Sequence, residues 1–269
     1  MRLSAITDEI SMDFGHALNV MKEYGCTAAE LRNLWNTNIA DLAEDQINDA
    51  QRLLARNEME VCGIAASLFK CELNTADGAY DQQMAMLERC VRMAKRFGTK
   101  YVRTFAFFKR GELTSDVEDA IAVGISDAVR YAEDNGIVLL LENEHSCYLG
   151  TGVETAKFLA RINSPALRAI WDPGNAFFAD EKPFPDGYNA IRNYVEHVHV
   201  KDAELLASGK KRFIVIGEGE IDYKGHFEAL STDGYSGYLS LESHYHPFGG
   251  TPEEGSRLCL QGLNKLLSE

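Results

Sequence analysis

Short β-type runs and helical stretches alternate along the whole of the 269-residue sequence. Apolar and β-branched runs predict eight strands, at residues 2–6, 28–31, 60–64, 101–105, 137–141, 167–171, 197–200 and 238–241. Apolar residues at helical spacing predict helices at 13–24, 44–56, 81–97, 115–134, 153–162, 188–194, 223–230 and 252–267. This repetition of β-α units is typical of a closed parallel (β/α)8 barrel, here predicted as one domain over residues 1–269.

A doubly wound open sheet is the competing arrangement for such a pattern. Eight units are more than an open sheet of that kind usually carries, and no GxGxxG motif follows the first predicted strand. The segment KKRFIVIGEGEID, residues 210–222, interrupts the unit after the seventh strand. We expect it to form an excursion with turns at Gly217 and Gly219 that lies over the mouth of the barrel.

Composition excludes several classes of partner. The formal net charge of −14 argues against nucleic acid, because phosphate backbones select basic surfaces. The strongest apolar run, residues 137–141, is too short to span a bilayer, and the N-terminal residues do not resemble a signal peptide. The six cysteines form no CxxC pair, which favours free thiols. We therefore predict a cytoplasmic protein without a membrane or nucleic-acid partner.

Four residues that commonly bind metals follow one another at the ends of the last four predicted strands. They are Glu142, Asp172, His199 and Glu242. Catalytic groups of (β/α)8 barrels lie at the carboxyl ends of the strands, so these side chains should be neighbours. Each alone is more often a helix cap, a solvated charge or a core residue. Together, three converging carboxylates would raise one another's pKa values unless a cation lay between them.

The sequence VEHVHVKD around His199 alternates strictly, which predicts a strand with His197, His199 and Lys201 on one face. Burying these groups is costly unless something on that face requires them. We expect His199 to be the ligand at the mouth. His197, deeper on the same face, is expected to pack in the interior or to fix the tautomer of His199.

The sequence around these residues resembles the xylose-isomerase-like barrel superfamily. The motifs are LLLEN around Glu142, WDPGN around Asp172, HVHVKD around His199, GEGEIDY at 217–223 and LSLESH around Glu242. The superfamily includes sugar epimerases of the tagatose 3-epimerase type, inosose isomerases and dehydratases, and endonuclease-four DNA repair enzymes. The resemblance implies one divalent metal held by these four residues, with Mn²⁺ expected and Mg²⁺, Co²⁺ or Zn²⁺ as alternatives.

The resemblance also implies a reaction. In epimerase and isomerase members the two glutamates act as acid and base, here Glu142 and Glu242. The metal polarises a carbonyl and a neighbouring hydroxyl, and the carboxylates move a proton from one face of the carbon to the other through an enediolate. We therefore expect an enzyme, a metal-dependent isomerase or epimerase of a sugar, sugar phosphate or sugar acid.

Several positions depart from the patterns of individual members. Asn175 stands where many members have a histidine, and neither the arginine nor the additional glutamate typical of ketose 3-epimerases is present. The endonuclease-four class needs further histidines that this sequence lacks, and its charge differs. We expect Asn175 and His145 to contact the substrate instead.

Basic residues cluster near the predicted strand ends and indicate how the substrate could be held. They are Arg32, Lys70, Arg103, Lys109, Arg110 and Lys201. In an acidic protein such a cluster favours an anionic carbohydrate, bound by Lys70, Arg103 and Lys201. The alternative is salt bridging with nearby acidic residues, namely Glu30, Asp8 or Glu9.

Two further functions remain open at this stage. One is a metal-dependent dehydratase of a cyclic polyol or keto acid, such as inosose or dehydroshikimate, which uses the same metal and base but expels a β-hydroxyl. The other is a sugar-binding barrel without activity. A homo-oligomer is expected by analogy with other barrels of this type.

Overall fold

The computed structural model describes residues 1–73 and 78–268 and contains a closed barrel of eight parallel strands. The strands are β1 (Arg2–Ile6), β2 (Ala28–Leu31), β3 (Glu60–Leu68), β4 (Tyr101–Thr104), β5 (Val138–Glu142), β6 (Leu167–Trp171), β7 (Val195–Val200) and β8 (Tyr238–Leu241). They pair in chain order, and β8 closes the barrel on β1 with Arg2 opposite Tyr238. The predicted single-domain (β/α)8 barrel is confirmed.

Helices connect the strands and form the outer layer. They are α1 (Phe14–Glu23), α2 (Glu44–Asn57), α3 (Ala79–Phe97), α4 (Ser115–Asp134), α5 (Gly152–Ile162), α6 (Pro173–Phe178), α7 (Tyr188–Ile191), α8 (Tyr223–Thr232) and α9 (Pro252–Ser268). The apolar periodicity of the sequence predicted most of the helix bounds to within two residues of those in the structure. Gly98 ends α3 with a φ of 75°, a left-handed conformation that glycine adopts without the steric cost of a Cβ. In the described ranges no helix has the length and apolar character needed to cross a membrane.

Helix α6 is absent from the sequence-based prediction because its six residues, PGNAFF, are too few to show periodicity. Its first residues are instead determined by a proline and by a capping side chain. Pro173 occupies the first turn, where its missing N–H costs nothing, and the Asp172 carboxylate accepts a hydrogen bond from the backbone N–H of Asn175. The helix turns Asn175 toward the barrel mouth and carries Phe178 at its end.

The excursion after β7 begins earlier than predicted. Residues Asp202–Leu205 pair antiparallel with Lys211–Ile214, and we call this two-stranded element the ribbon. The carboxylate of Asp202 accepts hydrogen bonds from the backbone N–H groups of Gly217 and Gly219, which fold the following turn against the ribbon. A Cβ at Gly219 would lie 2.2 Å from Asp202 Oδ1, so only glycine fits this close approach.

The outward faces of the barrel strands, which pack against the helices, are apolar, and the inward faces are polar. Alternation along the strands places residues such as Leu141, Trp171 and Val198 in the large apolar core. The other face carries buried polar groups, including Glu30 and Arg103. All six cysteines are free, as predicted, and burial raises the pKa of the Cys26 and Cys90 thiols to about 12.

Candidate metal centre

The structure brings the four predicted ligands together. Glu142 ends β5, Asp172 follows β6, His199 lies in β7 and Glu242 follows β8. Each offers one ligand atom, and these atoms all lie within 4.8 Å of one another. All four residues are buried, with at most 4% of Glu242 exposed. Three carboxylates and one imidazole therefore converge on a single position inside the mouth of the barrel.

The His199 ring faces carboxylates on both sides. Its Nδ1 lies 3.3 Å from Glu142 Oε1 and 3.5 Å from Glu242 Oε2. Its Nε2 lies 3.1 Å from Glu30 Oε1. Burial alone would lower the pKa of His199, but the charges of Glu30 and Glu142 raise it well above its ordinary value. Nδ1 of His199 therefore points at the ligand cluster, while Nε2 contacts Glu30 on the opposite side of the ring.

Asp172 provides the test of whether a cation fits here. Its Oδ1 accepts the backbone N–H of Asn175 at 2.8 Å. Among the described residues no donor is aligned to hydrogen-bond Oδ2, although Lys201 Nζ lies 2.8 Å from it. Burial, reinforced by the neighbouring Glu142 and Glu242 carboxylates, raises the pKa of Asp172 to about 7. A buried carboxylate oxygen that accepts no aligned hydrogen bond, beside two other carboxylates and an imidazole, fits a divalent ion such as Mn²⁺, Mg²⁺, Co²⁺ or Zn²⁺.

Cations of the chain also contact the cluster, among them Lys201, Arg103 and Arg32, the last with Nη1 3.4 Å from Glu242 Oε1. Lys201 Nζ lies 2.5 Å from Glu242 Oε2, and the side chain is 1% exposed. Arg103 Nη1 lies 3.1 Å from Glu142 Oε2 and 3.3 Å from Glu242 Oε1. The other N–H groups of Arg103 donate to the backbone carbonyls of Ala65 and Ala66. These four acceptors favour a role for Arg103 in holding the two glutamates over the direct substrate contact expected from the sequence.

The remaining predicted substrate contacts form a series of polar contacts that leads to Glu142. Lys70 Nζ donates to Glu144 Oε2 at 2.8 Å, and His145 Nδ1 lies 3.1 Å from Glu144 Oε1. His145 Nδ1 is also 3.3 Å from Asn175 Oδ1, whose amide nitrogen donates to Glu142 Oε1 at 3.0 Å. The side chains of Lys70 and His145 are 30% and 39% exposed, so both face the open mouth.

Sequence reasoning named Glu30 only as a salt-bridge partner for the basic cluster and missed its position beside the histidines of β7. One of its oxygens accepts a hydrogen bond from Ser240 Oγ and lies 3.0 Å from His197 Nε2. Glu30 thus lies between the two histidines of β7 and takes the position, behind His199, for which His197 was a candidate. The signal was a glutamate inside the apolar strand sequence AAEL.

His244 and Arg32 complete the mouth on the β8 side. His244 has a φ of 46°, and its Nε2 lies 3.7 Å from Glu242 Oε2. Burial, together with the charge of Lys201, lowers the pKa of His244. Arg32 forms ion pairs with Asp8 at 2.9 Å and Glu9 at 2.6 Å, which confirms the salt-bridging alternative for this residue.

Comparison with known proteins gives the same fold and several reactions. A family model described as xylose isomerase-like TIM barrel matches residues 18–266. An inosose dehydratase of Clostridium beijerinckii is 28% identical over 152 residues, 50% of this chain and 49% of that protein. The chain thus spans about half the length of this curated relative.

Three solved structures show the same architecture. A probable 3-DHS dehydratase involved in petrobactin synthesis in Bacillus anthracis has a TM-score of 0.79 at 18% identity, over 100% of this chain and 99% of that chain. The IOLI protein with a binding zinc atom has a TM-score of 0.78 at 17% identity, and the match covers 100% of this chain and 98% of that chain. D-allulose 3-epimerase from a Methylomonas species, in complex with D-allulose, has a TM-score of 0.76 at 15% identity, and the match covers 100% of this chain and 96% of that chain. The reported relatives and neighbours thus include dehydratases and an epimerase.

Proposed function

Because the chain belongs to the xylose isomerase-like TIM barrel family, we propose that it is a metal-dependent dehydratase of a polyhydroxylated cyclic ketone. The reaction would remove a proton next to the ketone and expel a hydroxyl from the following carbon as water. The relative with 28% identity is named an inosose dehydratase, which supports this class of substrate.

The observation that carries the proposal is the position of Lys201. Its ammonium group is buried within the ligand cluster, 2.8 Å from Asp172 Oδ2 and 2.5 Å from Glu242 Oε2. Burial would lower the pKa of Lys201, but the charges of Asp172 and Glu242 raise it well above its ordinary value, so the amine carries a proton before the reaction begins. Expulsion of a hydroxyl is assisted by such a donor, whereas exchange of a proton between two faces of one carbon uses one carboxylate as base and the other, protonated, as acid.

Glu142, Asp172, His199 and Glu242 would hold the ion. A divalent ion, when bound, supplies the positive charge that polarises the ketone and acidifies the neighbouring C–H. Glu142, oriented by Asn175 and Arg103, takes that proton as the C–H electrons form the new C=C bond. The C–O bond breaks with its electron pair, and the departing oxygen leaves as water with a proton from Lys201. Transfer of the Glu142 proton to solvent, and reprotonation of Lys201, restore the starting state.

Isomerisation or epimerisation remains the second candidate. Arg103 Nη1 bridges Glu142 and Glu242, so the two glutamates flank one position, as a two-base proton exchange requires. This arrangement favours the reaction expected from the sequence, with Glu142 and Glu242 as base and acid. A binding barrel without activity is less well supported, since the full ligand set is present.

One experiment separates these functions. The protein is loaded with Mn²⁺ and incubated in deuterated water with a pentahydroxycyclohexanone, 3-dehydroshikimate and D-allulose. A dehydratase produces a conjugated absorbance and loses water. An epimerase places deuterium on carbon without losing water. Neither result with any of the three compounds would count against both proposals.

Two lysine variants test the assigned donor. We expect Lys201→Met to lower kcat by about 10²–10⁴-fold, the usual contribution of a general acid, while metal content stays the same. Lys157→Met is the matched control, because Lys157 pairs with Glu118 and its side chain is 70% exposed. A Lys201→Met protein with bound metal and wild-type turnover would contradict the role of Lys201.

A further inference from the structure

A second group of metal-binding side chains lies deeper inside the barrel than the candidate metal centre. Glu30 on β2, Cys62 on β3 and His197 on β7 each offer one ligand atom, and these atoms all lie within 4.8 Å of one another. All three residues are buried, with at most 4% of any of them exposed. We call these three side chains the lower cluster. It shares no residue with the four ligands at the mouth.

Cys62 differs from other buried cysteines of the chain in its surroundings. Cys90 and Cys259 pack in the main apolar core. Cys62 belongs instead to a small separate group with Ala28 and Tyr238, on the inward side of the barrel. A thiol that only fills space behaves as a small apolar group, so a position beside a carboxylate and an imidazole indicates a different use.

The donor set of the lower cluster suits a zinc ion. Thiolate sulfur, imidazole nitrogen and carboxylate oxygen are the ligands that zinc binds in proteins. Burial raises the pKa of the Cys62 thiol well above its ordinary value, so the group is neutral until a metal displaces its proton to solvent. The thiolate and the Glu30 carboxylate then balance the charge of a divalent ion, which avoids a net charge in the interior.

The spacing of the lower cluster is close to that of a zinc site. His197 Nε2 lies 3.0 Å from Glu30 Oε2. Ligand atoms of a tetrahedral zinc ion are roughly 3.3–3.8 Å apart, so the side chains need to move by only about 1 Å. Cys62 Sγ, which lies 3.4 Å from the carbonyl oxygen of Ala29, would exchange this weak hydrogen bond for the ion.

The Ser4 hydroxyl is an independent indication of a bound ion. Ser4 is fully buried beside the Cys62 thiol, and in the described ranges no group is aligned to hydrogen-bond its Oγ. A buried hydroxyl without a partner costs free energy. The sulfur of a metal-bound Cys62 would accept this O–H, as metal ligands commonly accept hydrogen bonds from groups behind them.

The lower cluster can be reached from the N-terminal end of the barrel. A cavity of about 380 Å³ opens there beside the first residues of β1, β4 and β8. Its lining includes Arg2, Tyr101, Tyr238 and His197. His197 therefore connects this cavity to the interior. The metal centre at the mouth lies at the opposite end, so an ion would approach the two groups from different faces of the protein.

We propose that Glu30, Cys62 and His197 form a second, structural zinc site that joins β2, β3 and β7 beneath the mouth. The site does not depend on the proposed dehydratase reaction. Mn²⁺ prefers oxygen ligands to sulfur and should occupy the mouth alone, so Glu30 and His197 remain free of metal in the Mn²⁺-loaded protein. Zn²⁺ and Co²⁺, which accept thiolate ligands, should fill both sites.

Titration of the metal-free protein with Co²⁺ tests the proposal. A cobalt–thiolate bond gives an intense near-ultraviolet charge-transfer band, and the ligand set at the mouth contains no sulfur. Wild type should bind about two Co²⁺ ions per chain and show the band, and Zn²⁺ should remove it. Cys62→Ala should lose the band and one ion. Cys90→Ala, at a buried thiol of α3, is the matched control and should keep both.

Two further variants keep the test decisive. His197→Gln retains the thiol if Cys62→Ala does not fold, and it should lower the Co²⁺ affinity read from the band by at least about 10- to 100-fold. Asp172→Asn should weaken binding at the mouth and leave the band unchanged. No band in wild type, a band that persists in Cys62→Ala, or an unchanged affinity in His197→Gln would overturn the site. Loss of the band in Asp172→Asn would overturn its independence from the mouth.

Discussion

The barrel interior and the layer outside β6 each bury a histidine almost completely, and the pKa values of the two residues are shifted in opposite directions. His199 lies among carboxylates, which raise its pKa well above the ordinary value. His226, on α8, lies among aromatic rings, with its centroid 5.0 Å from that of Phe184 and 6.1 Å from that of Trp171. Burial lowers the pKa of His226 to about 4. Burial alone lowers the pKa of a histidine, and neighbouring carboxylates raise it again where, as at His199, their charges outweigh the burial.

The hydrogen-bond partners of the two histidine rings differ in a way that matches their opposite pKa shifts. Both nitrogens of His199 face carboxylate oxygens. In His226, Nδ1–H donates to the Asp222 carbonyl at 2.8 Å, and no described residue pairs with Nε2. Protonating Nε2 of His226 would bury a positive charge among aromatic rings, with the backbone of Pro183 as a hydrogen-bond partner. The environment of His199 suits replacement of a ring proton by a metal ion. The environment of His226 disfavours both a second ring proton and a bound metal ion.

The largest effect should follow from removing His199. His199→Ala deletes the only nitrogen ligand of the cluster, so we expect loss of bound metal and a fall in kcat/KM of about 10³-fold, equivalent to about 4 kcal/mol of transition-state stabilisation. Metal analysis of the purified protein and steady-state kinetics measure both. His226→Phe is the control, and it should keep metal and turnover. Retention of a full metal complement in His199→Ala would contradict the ligand assignment.

His226 should make stability depend on pH. In the unfolded protein its pKa is near the ordinary 6.5, whereas burial lowers it to about 4 in the folded protein. As the pH falls below about 6.5, the unfolded state binds a proton that the folded state does not, so the free energy of unfolding decreases until about pH 4. At pH 4.5 this loss is about 2.5 kcal/mol.

Denaturant unfolding of wild type and His226→Phe at pH 7.5 and 4.5 measures this contribution. The difference in unfolding free energy between the two pH values should be about 2.5 kcal/mol smaller in the variant, because the other titrating groups are common to both proteins. The lost hydrogen bond to Asp222 cancels, since it is absent at both pH values. Equal pH dependence in both proteins would show that His226 is charged or exposed when folded.

The two histidines also show how far sequence reasoning extends. His199 was predictable because barrel topology brings the carboxyl ends of consecutive strands together, whatever the surrounding side chains. The state of His226 was not, since its ring neighbours come from β6, α7, α8 and the loop between α6 and α7. The contact between Phe178 and Phe213 was missed for the same reason, because these two rings meet only through the short helix α6 and the ribbon.

Glu30 should tune the site without being a ligand. Glu30→Gln keeps the shape of the side chain but removes the charge behind His199 Nε2, so the ring becomes a weaker base. We expect Mn²⁺ affinity to fall about 10- to 100-fold, as measured by titration of the metal-free protein. Glu60→Gln is the matched control, because that side chain is 70% exposed at the start of β3. An unchanged affinity in Glu30→Gln would mean that Glu30 only balances charge in the interior.

The smallest effect on the metal should follow from removing His197, although this residue lies two positions from His199 on the same face of β7. His197 contacts Glu30 Oε2 at 3.0 Å, and Glu30 keeps its contacts to His199 and Ser240 when the ring is removed. His197→Ala should therefore cost about 1 kcal/mol of unfolding free energy and change Mn²⁺ affinity by less than about 3-fold. Thermal unfolding and metal titration test the two parts separately. If His197→Ala strips the metal from a protein that still folds normally, the interior of the barrel does not divide into a ligand at the mouth and a structural histidine beneath it.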